Sequence, residues 1–222
     1  MSVVKGLKNI NALLDSNKST SDPSATGPKV RWVKLADGQS VKIRFVEELD
    51  QDSANYNPDR GLAIVVKEHT NPKDYKRKAL DTMETEGRDW AEEMHRKEPK
   101  AGWRARLRFY CNVVVDDGIE EPYVAVWSQG ISKQSAFDTI REYALETGSI
   151  SNLVWKLKRN GQGIETNYTL IPTTPDSEPF DWSNTQPFNL DKVVRHVPYA
   201  EQENFYLGFD GPGTASTSNA DW

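Results

Sequence analysis

At 222 residues, 36% of them hydrophobic, and with a mean hydropathy of −0.72, the chain is long enough for one good core with polar segments left over. No apolar run approaches the ~20 residues of a membrane span, the start MSVVKGLKNINALLDSNK lacks the features of a secretory signal, and the lone Cys111 excludes an intrachain disulfide, so a soluble, cytoplasmic protein in a reducing compartment is expected. The net charge of −5 hides an asymmetry: residues 175–222 carry −6 and residues 1–174 carry +1, while Lys100 to Arg108 holds four cations and no acid. A locally basic body with an acidic tail fits a polyanion-binding protein that carries its own competitor.

In chain order, residues 3–15 have helical spacing, with Val4, Leu7, Ile10, Leu13 and Leu14 near one face. SNKSTSDPSATGP reads as a flexible linker, which makes residues 1–28 an N-terminal arm. KVRWVKLADGQSVKIRFVEE is two alternating runs around Asp37-Gly38, a hairpin pattern. GLAIVVKEH predicts a buried strand. WRARLRFYCNVVVDDG predicts a long one, with Ala105, Leu107, Phe109, Cys111 and Val113 on one face and Arg104, Arg106, Arg108 and Tyr110 on the other. EPYVAVWSQ pairs with it across Asp117-Gly118. SKQSAFDTIREYALETG predicts a helix capped by Ser132 and stopped at Gly148, and NLVWKLKRNGQGIETNYTLIP a hairpin turning at Asn160–Gly163. About five strands and one helix suit a small barrel over residues 29–174. Residues 175–207 are an acidic, proline-rich extension, and 208–222 an acidic tail expected to be disordered.

The basic strand is the main candidate for function. Arg104, Arg106, Arg108 and Tyr110, with Lys100 and Trp103 at its start, join cations to aromatics, as single-stranded nucleic acid requires: guanidinium groups neutralise phosphates while rings stack on unpaired bases. Lys42 and Arg44 on one strand, and Lys156, Lys158 and Arg159 on another, extend the stripe. The bland alternative is a solvated strand face. Trp155 reads as core, Trp127 and Trp32 as either core or platform, and Tyr110 and Tyr168 as the stacking candidates. At the C-terminus, Asp210, Asp221 and the final Trp222 suggest an acidic peptide with a ring that docks on partner proteins.

Residues 69–95, HTNPKDYKRKALDTMETEGRDWAEEMH, resemble a small metal ribbon whose ligands have become acids, ending in D-x-x-E where a zinc site would carry C-x-x-C. His69, Asp81, Asp89, Glu92 and Glu93 with His95 are the enzyme-like group, since carboxylates with a His can hold Mg²⁺ or Mn²⁺ for phosphodiester hydrolysis. Ion pairing on a solvated helix is the alternative favoured by the dense Lys and Arg around them. P-loop, G-x-S-x-G, H-E-x-x-H and dinucleotide-binding patterns are absent.

RWVKLADGQSVKIRFVEE, LRFYCNVVVDDG followed by EPYVAVWSQGISKQSAFDTI, and NLVWKLKRNGQGIETNYTLIP resemble, in that order, segments of the gene-32-type (T-even-like) single-stranded-DNA-binding proteins of tailed bacteriophages. The resemblance spans about Arg31 to Pro172. It implies an OB-fold, a five-stranded Greek-key barrel, with a zinc-ribbon-like subdomain inserted at 69–100. It also implies single-strand coating in DNA replication, recombination and repair, without enzymatic activity, and places Arg44, the Arg104–Tyr110 strand and Lys156–Arg159 in the binding cleft. An acidic tail would contact replication and recombination proteins, and NKST at Asn17–Thr20 resembles the family's basic arm motif for self-association on DNA, with a single cation. The family's zinc ligands are one His and three Cys; here His69 matches the His, and Asp81, Asp89 and Glu92 stand at the cysteine positions. A site built mostly of carboxylates suits zinc poorly. The expectation is that zinc is lost, leaving no cofactor, and that Lys76, Arg77, Lys78, Arg88 and Arg96 hold the acids instead. A metal-dependent nuclease and a protein-binding adaptor are the alternatives.

Overall fold

The computed structural model describes residues 30–133, 135–173, 181–182 and 185–209. The expected N-terminal arm, with its helix, linker and NKST motif, and the tail residues Asp210, Asp221 and Trp222 lie outside the described residues. The runs rich in Val, Ile, Phe and Tyr form strands: β1 (Ser40–Phe45), β2 (Ile64–Asn71), β3 (Asp74–Leu80), β4 (Arg106–Asp116), β5 (Tyr123–Gly130), β6 (Trp155–Asn160) and β7 (Asn167–Pro172). The helices are α1 (Met83–Glu86), α2 (Trp90–Lys97), α3 (Ala136–Thr147), α4 (Leu190–Val193) and α5 (Tyr199–Leu207), with a 3₁₀ turn at Gly163–Glu165. The protein is mainly β, built on one seven-stranded antiparallel sheet in the order β3-β2-β4-β1-β6-β7, with β5 also paired to β4.

Strand β4 is the spine. One of its edges pairs with β2 over Arg106–Tyr110 and with β1 over Val113–Asp116, while the other pairs with β5 over Arg108–Val115. Strands β1, β2, β4, β5, β6 and β7 fall on runs expected to be strands, and β3 lies in the insert. The hairpin β2–β3 joins the same sheet instead of forming a separate ribbon, and the helices beyond the expected α3 belong to the insert and the extension. Among the described strands no backbone pairing joins β5 to β7. Side chains fill that seam, with the Trp127 and Tyr168 rings meeting edge-on at 5.9 Å.

The hairpin expected around Asp37-Gly38 does not form. Residues 31–33 run beside β5 instead, Val33 N donating to Val126 O and Val126 N to Arg31 O. The turn packs on β6, where Gly161 N donates to the Asp37 carboxylate at 2.7 Å and Gly38 N donates to Arg159 O. Helix α3 starts at Ala136 behind Ser135, three residues after the expected cap, and stops at Gly148, whose φ of 78° is the left-handed conformation that favours glycine.

The main core packs against one face of the sheet. Phe45, Phe109, Trp127, Trp155, Ile140 and Leu157 are almost fully buried there. The outer face of β2, β4 and β5 is buried as well, because the extension crosses it. Leu190, Val193 and Val194, with Phe188, cover Ile64, Val66, Tyr110 and Val126. Asn112 clamps this strap: its side chain accepts from Phe188 N at 3.0 Å and donates to Phe188 O at 2.9 Å, and its backbone N donates to the buried Glu47 carboxylate at 2.7 Å.

Further along, α5 packs on the insert, where the Trp90, Trp103 and Tyr206 rings meet with centroids 5.3–5.8 Å apart. Asn71 Nδ2 donates to Tyr206 O at 2.6 Å. Gly208, where disorder was expected to begin, is the left-handed cap of α5 at φ 80°. No helix among the described residues is long and apolar enough to cross a membrane.

Candidate nucleic-acid interface

One cluster of exposed cations lies on the outer face of β1 and β6. Val41, Ile43, Trp155 and Leu157 point into the core, so strand alternation turns Lys42, Lys156 and Lys158 to solvent. Lys42 stands directly opposite Lys156, and Lys158 opposite Ser40. Like charges facing each other across a ladder disfavour the pairing, although Asp116 stands opposite Lys42 on its other edge, in β4, and among the described residues no ion pair engages any of the three. Across β6, Ile171, also exposed, sits beside Lys156 and Thr169 beside Lys158. The result is a cationic face with a small apolar margin, next to a shallow depression lined by Lys42, Lys156, Asp116 and Asp117.

The arginine strand divides. Lys100, Arg104 and Arg106 are exposed at and before the start of β4. Arg108 is half-buried, its Nε 3.3 Å from the Glu68 carboxylate and its Nη1 3.5 Å from Ser128 Oγ. Arg44 is buried, which corrects its assignment to an open cleft. Arg159 donates to Leu35 O at 2.7 Å and Thr166 Oγ1 at 3.0 Å, so it fastens the β6–β7 turn. At Tyr110 and Asn112 the outer face of β4 lies under the extension. The continuous basic stripe expected from the sequence is therefore two fields, separated along β4 by roughly 26 Å, eight residues at ~3.3 Å each from Arg108 to Asp116.

Two of the aromatic platforms are corrected outright. Tyr110 and Trp127 are each 1% exposed and offer no face to a base. The Tyr110 hydroxyl donates to Glu68 and accepts from Lys78 Nζ at 3.2 Å. Burial, and then the Glu68 charge, push its pKa well above the ordinary tyrosine value. Burial also pushes the Lys78 ammonium down to about 8, with Glu68 opposing. Trp103 is half-buried within the Trp90–Tyr206 cluster. Tyr168 is half-buried in the β5–β7 seam, its ring edge-on to Trp127 and within the fields of Arg159 and Arg108.

In the insert, three of the four positions that the resemblance sets against zinc ligands do converge. His69 from β2, Asp81 after β3 and Asp89 at the start of α2 are all buried, with ligand-type atoms within 4.8 Å of one another. His69 Nε2 lies 3.2 Å from Asp81 Oδ2 and 3.5 Å from Asp89 Oδ1, and its Nδ1 lies 2.6 Å from Trp103 O. Lys67 Nζ is 2.6 Å from Asp81 Oδ2. Asp89 caps α2 by accepting from Glu92 N at 2.9 Å, and also accepts from Thr82 N at 3.1 Å and Gln202 Nε2 at 3.3 Å. Glu92 stays outside, paired with Arg96 at 3.3 Å.

These atoms all have protein partners here: His69 Nδ1 meets the Trp103 carbonyl, Nε2 meets both carboxylates, and the carboxylates also take Lys67 and several N–H donors. Of the cations expected to hold the acids, Arg96 pairs with Glu92, while Arg77 turns to Asp74 and Arg88 to Glu93 and Tyr199.

Sequence reasoning missed Lys67, Glu68 and Gln202. Gln202 is fully buried and ties α5 to the insert, donating to Thr82 Oγ1 at 2.9 Å and accepting from Trp90 N at 2.7 Å, yet it stands in a polar stretch with no periodic pattern. No family model matches the chain, and neither the curated proteins nor the solved structures compared with it include a match.

Proposed function

We propose that this chain binds single-stranded DNA without sequence preference and coats it during phage DNA replication, recombination and repair, as the resemblance to gene-32-type proteins implies, with the mainly β core as a variant of the OB-fold. The observation that carries this reading is the facing pair Lys42 and Lys156 with Lys158 beside them, exposed on adjacent strands. Such a pair costs the ladder stability that a phosphate between the two ammonium groups would restore. Arg104, Arg106 and Lys100 form the second field. With Tyr110 and Trp127 buried, phosphate neutralisation carries most of the binding, and stacking rests on Tyr168 and Trp103.

What supports a binding protein over a nuclease is the burial of His69, Asp81 and Asp89, which leaves a phosphodiester no approach to them. The chain then needs no cofactor and works in the host cytoplasm. Its acidic tail recruits replication and recombination proteins and competes for the cationic fields, and copies associate along the strand.

The test is a titration of labelled single-stranded and duplex oligonucleotides of equal length at low salt. The reading expects retardation of both with the single strand favoured. Loss of intact oligonucleotide on adding Mn²⁺ would restore the nuclease, and binding of neither form would favour an adaptor for proteins.

A further inference from the structure

We propose that a proton does the work of a metal ion in the insert: the His69 ring, donating from both nitrogens, is the cation around which Asp81 and Asp89 close, and Gln202 extends its hold to the C-terminal extension. The geometry assigns the charge. A backbone carbonyl can only accept, so Nδ1, 2.6 Å from Trp103 O, carries a hydrogen. The nearest acceptors to Nε2 are carboxylate oxygens, so Nε2 carries one as well. A ring with both hydrogens is an imidazolium. With it the buried group is balanced, two carboxylates against the His69 ring and Lys67.

The pin holds four segments that meet nowhere else in sequence: β2 through His69, the β3–α1 turn through Asp81, α2 through Asp89, and the entry to β4 through Trp103 O. Gln202 adds α5, reaching Asp89, Thr82 and the amide of Trp90. The charged and titratable groups facing the ring are Lys67 from β2, Asp81, Asp89 and, on the α5 side, Tyr206, with Glu84 and Glu92 acting through Lys67 and Glu68 through Tyr206.

Burial by itself disfavours the charged ring, but the Asp81 hydrogen bond, the Asp89 charge and the Trp103 carbonyl outweigh it and hold the His69 pKa above its ordinary value. Burial likewise opposes the Asp81 charge, and His69, Lys67 and the Met83 amide overcome it, holding that carboxyl well below the usual range. The raised histidine therefore contributes fully below about pH 6.5, its unfolded value, and its contribution is lost as pH rises through the folded pKa. The depressed aspartate contributes above its ordinary pKa and loses this only in strong acid. The pin is strongest in mildly acidic to neutral solution and loosens toward alkaline pH.

Nitrogen-15 spectra of the histidine rings in the full chain test this directly, with His95→Gln and His196→Gln used to assign the signals. Both His69 nitrogens should be protonated at pH 6.5, and the ring should lose its proton above the ordinary histidine value of about 6.5. In limited proteolysis, cleavage near the extension should rise several-fold between pH 6.5 and pH 9 in the parent chain. In Gln202→Ala it should be raised at both values. One equivalent of zinc should leave the ring signals and the melting temperature unchanged. A neutral His69 tautomer at pH 6.5, extension cleavage that stays constant while the ring deprotonates, or stoichiometric zinc that shifts both ring nitrogens would each overturn the proposal. None of these readouts involves DNA, so the outcome is separate from that of the binding reading.

Discussion

Lys42 faces Lys156 across the β1–β6 ladder, and both ammonium groups point away from the core. For a sheet that only has to fold, one of the two would serve better as Glu, Gln or Thr. Replacing Lys156 with Gln should raise stability by about 0.2–1 kcal/mol, the usual size of a cross-strand pair effect, while weakening single-strand binding. Chemical denaturation and an oligonucleotide titration on the same preparation read both. Affinity and stability falling together would mean that Lys156 is there for the fold.

The arginines of the β4 region should separate by burial. Arg104→Ala and Arg106→Ala remove exposed cations and should weaken DNA binding, with stability changes within about 0.5 kcal/mol. Arg108→Ala takes a partner from the buried Glu68 carboxylate and should cost about 1–3 kcal/mol. Thermal melts of the three variants beside their binding curves make the comparison.

Tyr110→Phe keeps the buried ring but removes the hydroxyl that donates to Glu68. We expect a loss of about 1–3 kcal/mol for the stranded acceptor and no change in DNA affinity. A large loss of affinity at unchanged stability would return Tyr110 to the interface.

The extension should behave as part of the folded body. Leu190→Ala opens a cavity over Ile64, Val66 and Tyr110 and should cost about 2–5 kcal/mol in denaturant unfolding. A neutral effect would mean that the strap adds little to the sheet it covers.

Local signals were legible in the sequence. The β4–β5 pair turns at Asp117-Gly118, α3 stops at Gly148, β6 and β7 turn where the Asn-Gly-Gln-Gly run predicts, and Trp155 lies in the core. Each depends on residues close together in the chain. The face of Tyr110 could not be read that way, because alternation along β4 says which side a residue points to and nothing about what covers that side. Its cover comes from Phe188, Leu190 and Val193, about eighty residues later, in a stretch whose acids and prolines read as solvated. The grouping of His69, Asp81 and Asp89 was expected through the likeness to a metal ribbon, which also included Glu92. Their closest partners were not, since one is the Trp103 carbonyl, another is Lys67 two residues before the histidine, and a third is Gln202 from the extension.

The central claim is that the exposed lysines and arginines take up phosphates, and the salt dependence of single-strand affinity measures it most directly. The logarithm of the binding constant should fall linearly with that of salt concentration, by about 0.7 per phosphate neutralised. In a Lys42→Gln, Lys156→Gln, Lys158→Gln variant that melts at or above the parent temperature, the slope should flatten by up to about 2, one such step for each cation lost. An unchanged slope and affinity in that folded variant would contradict the account.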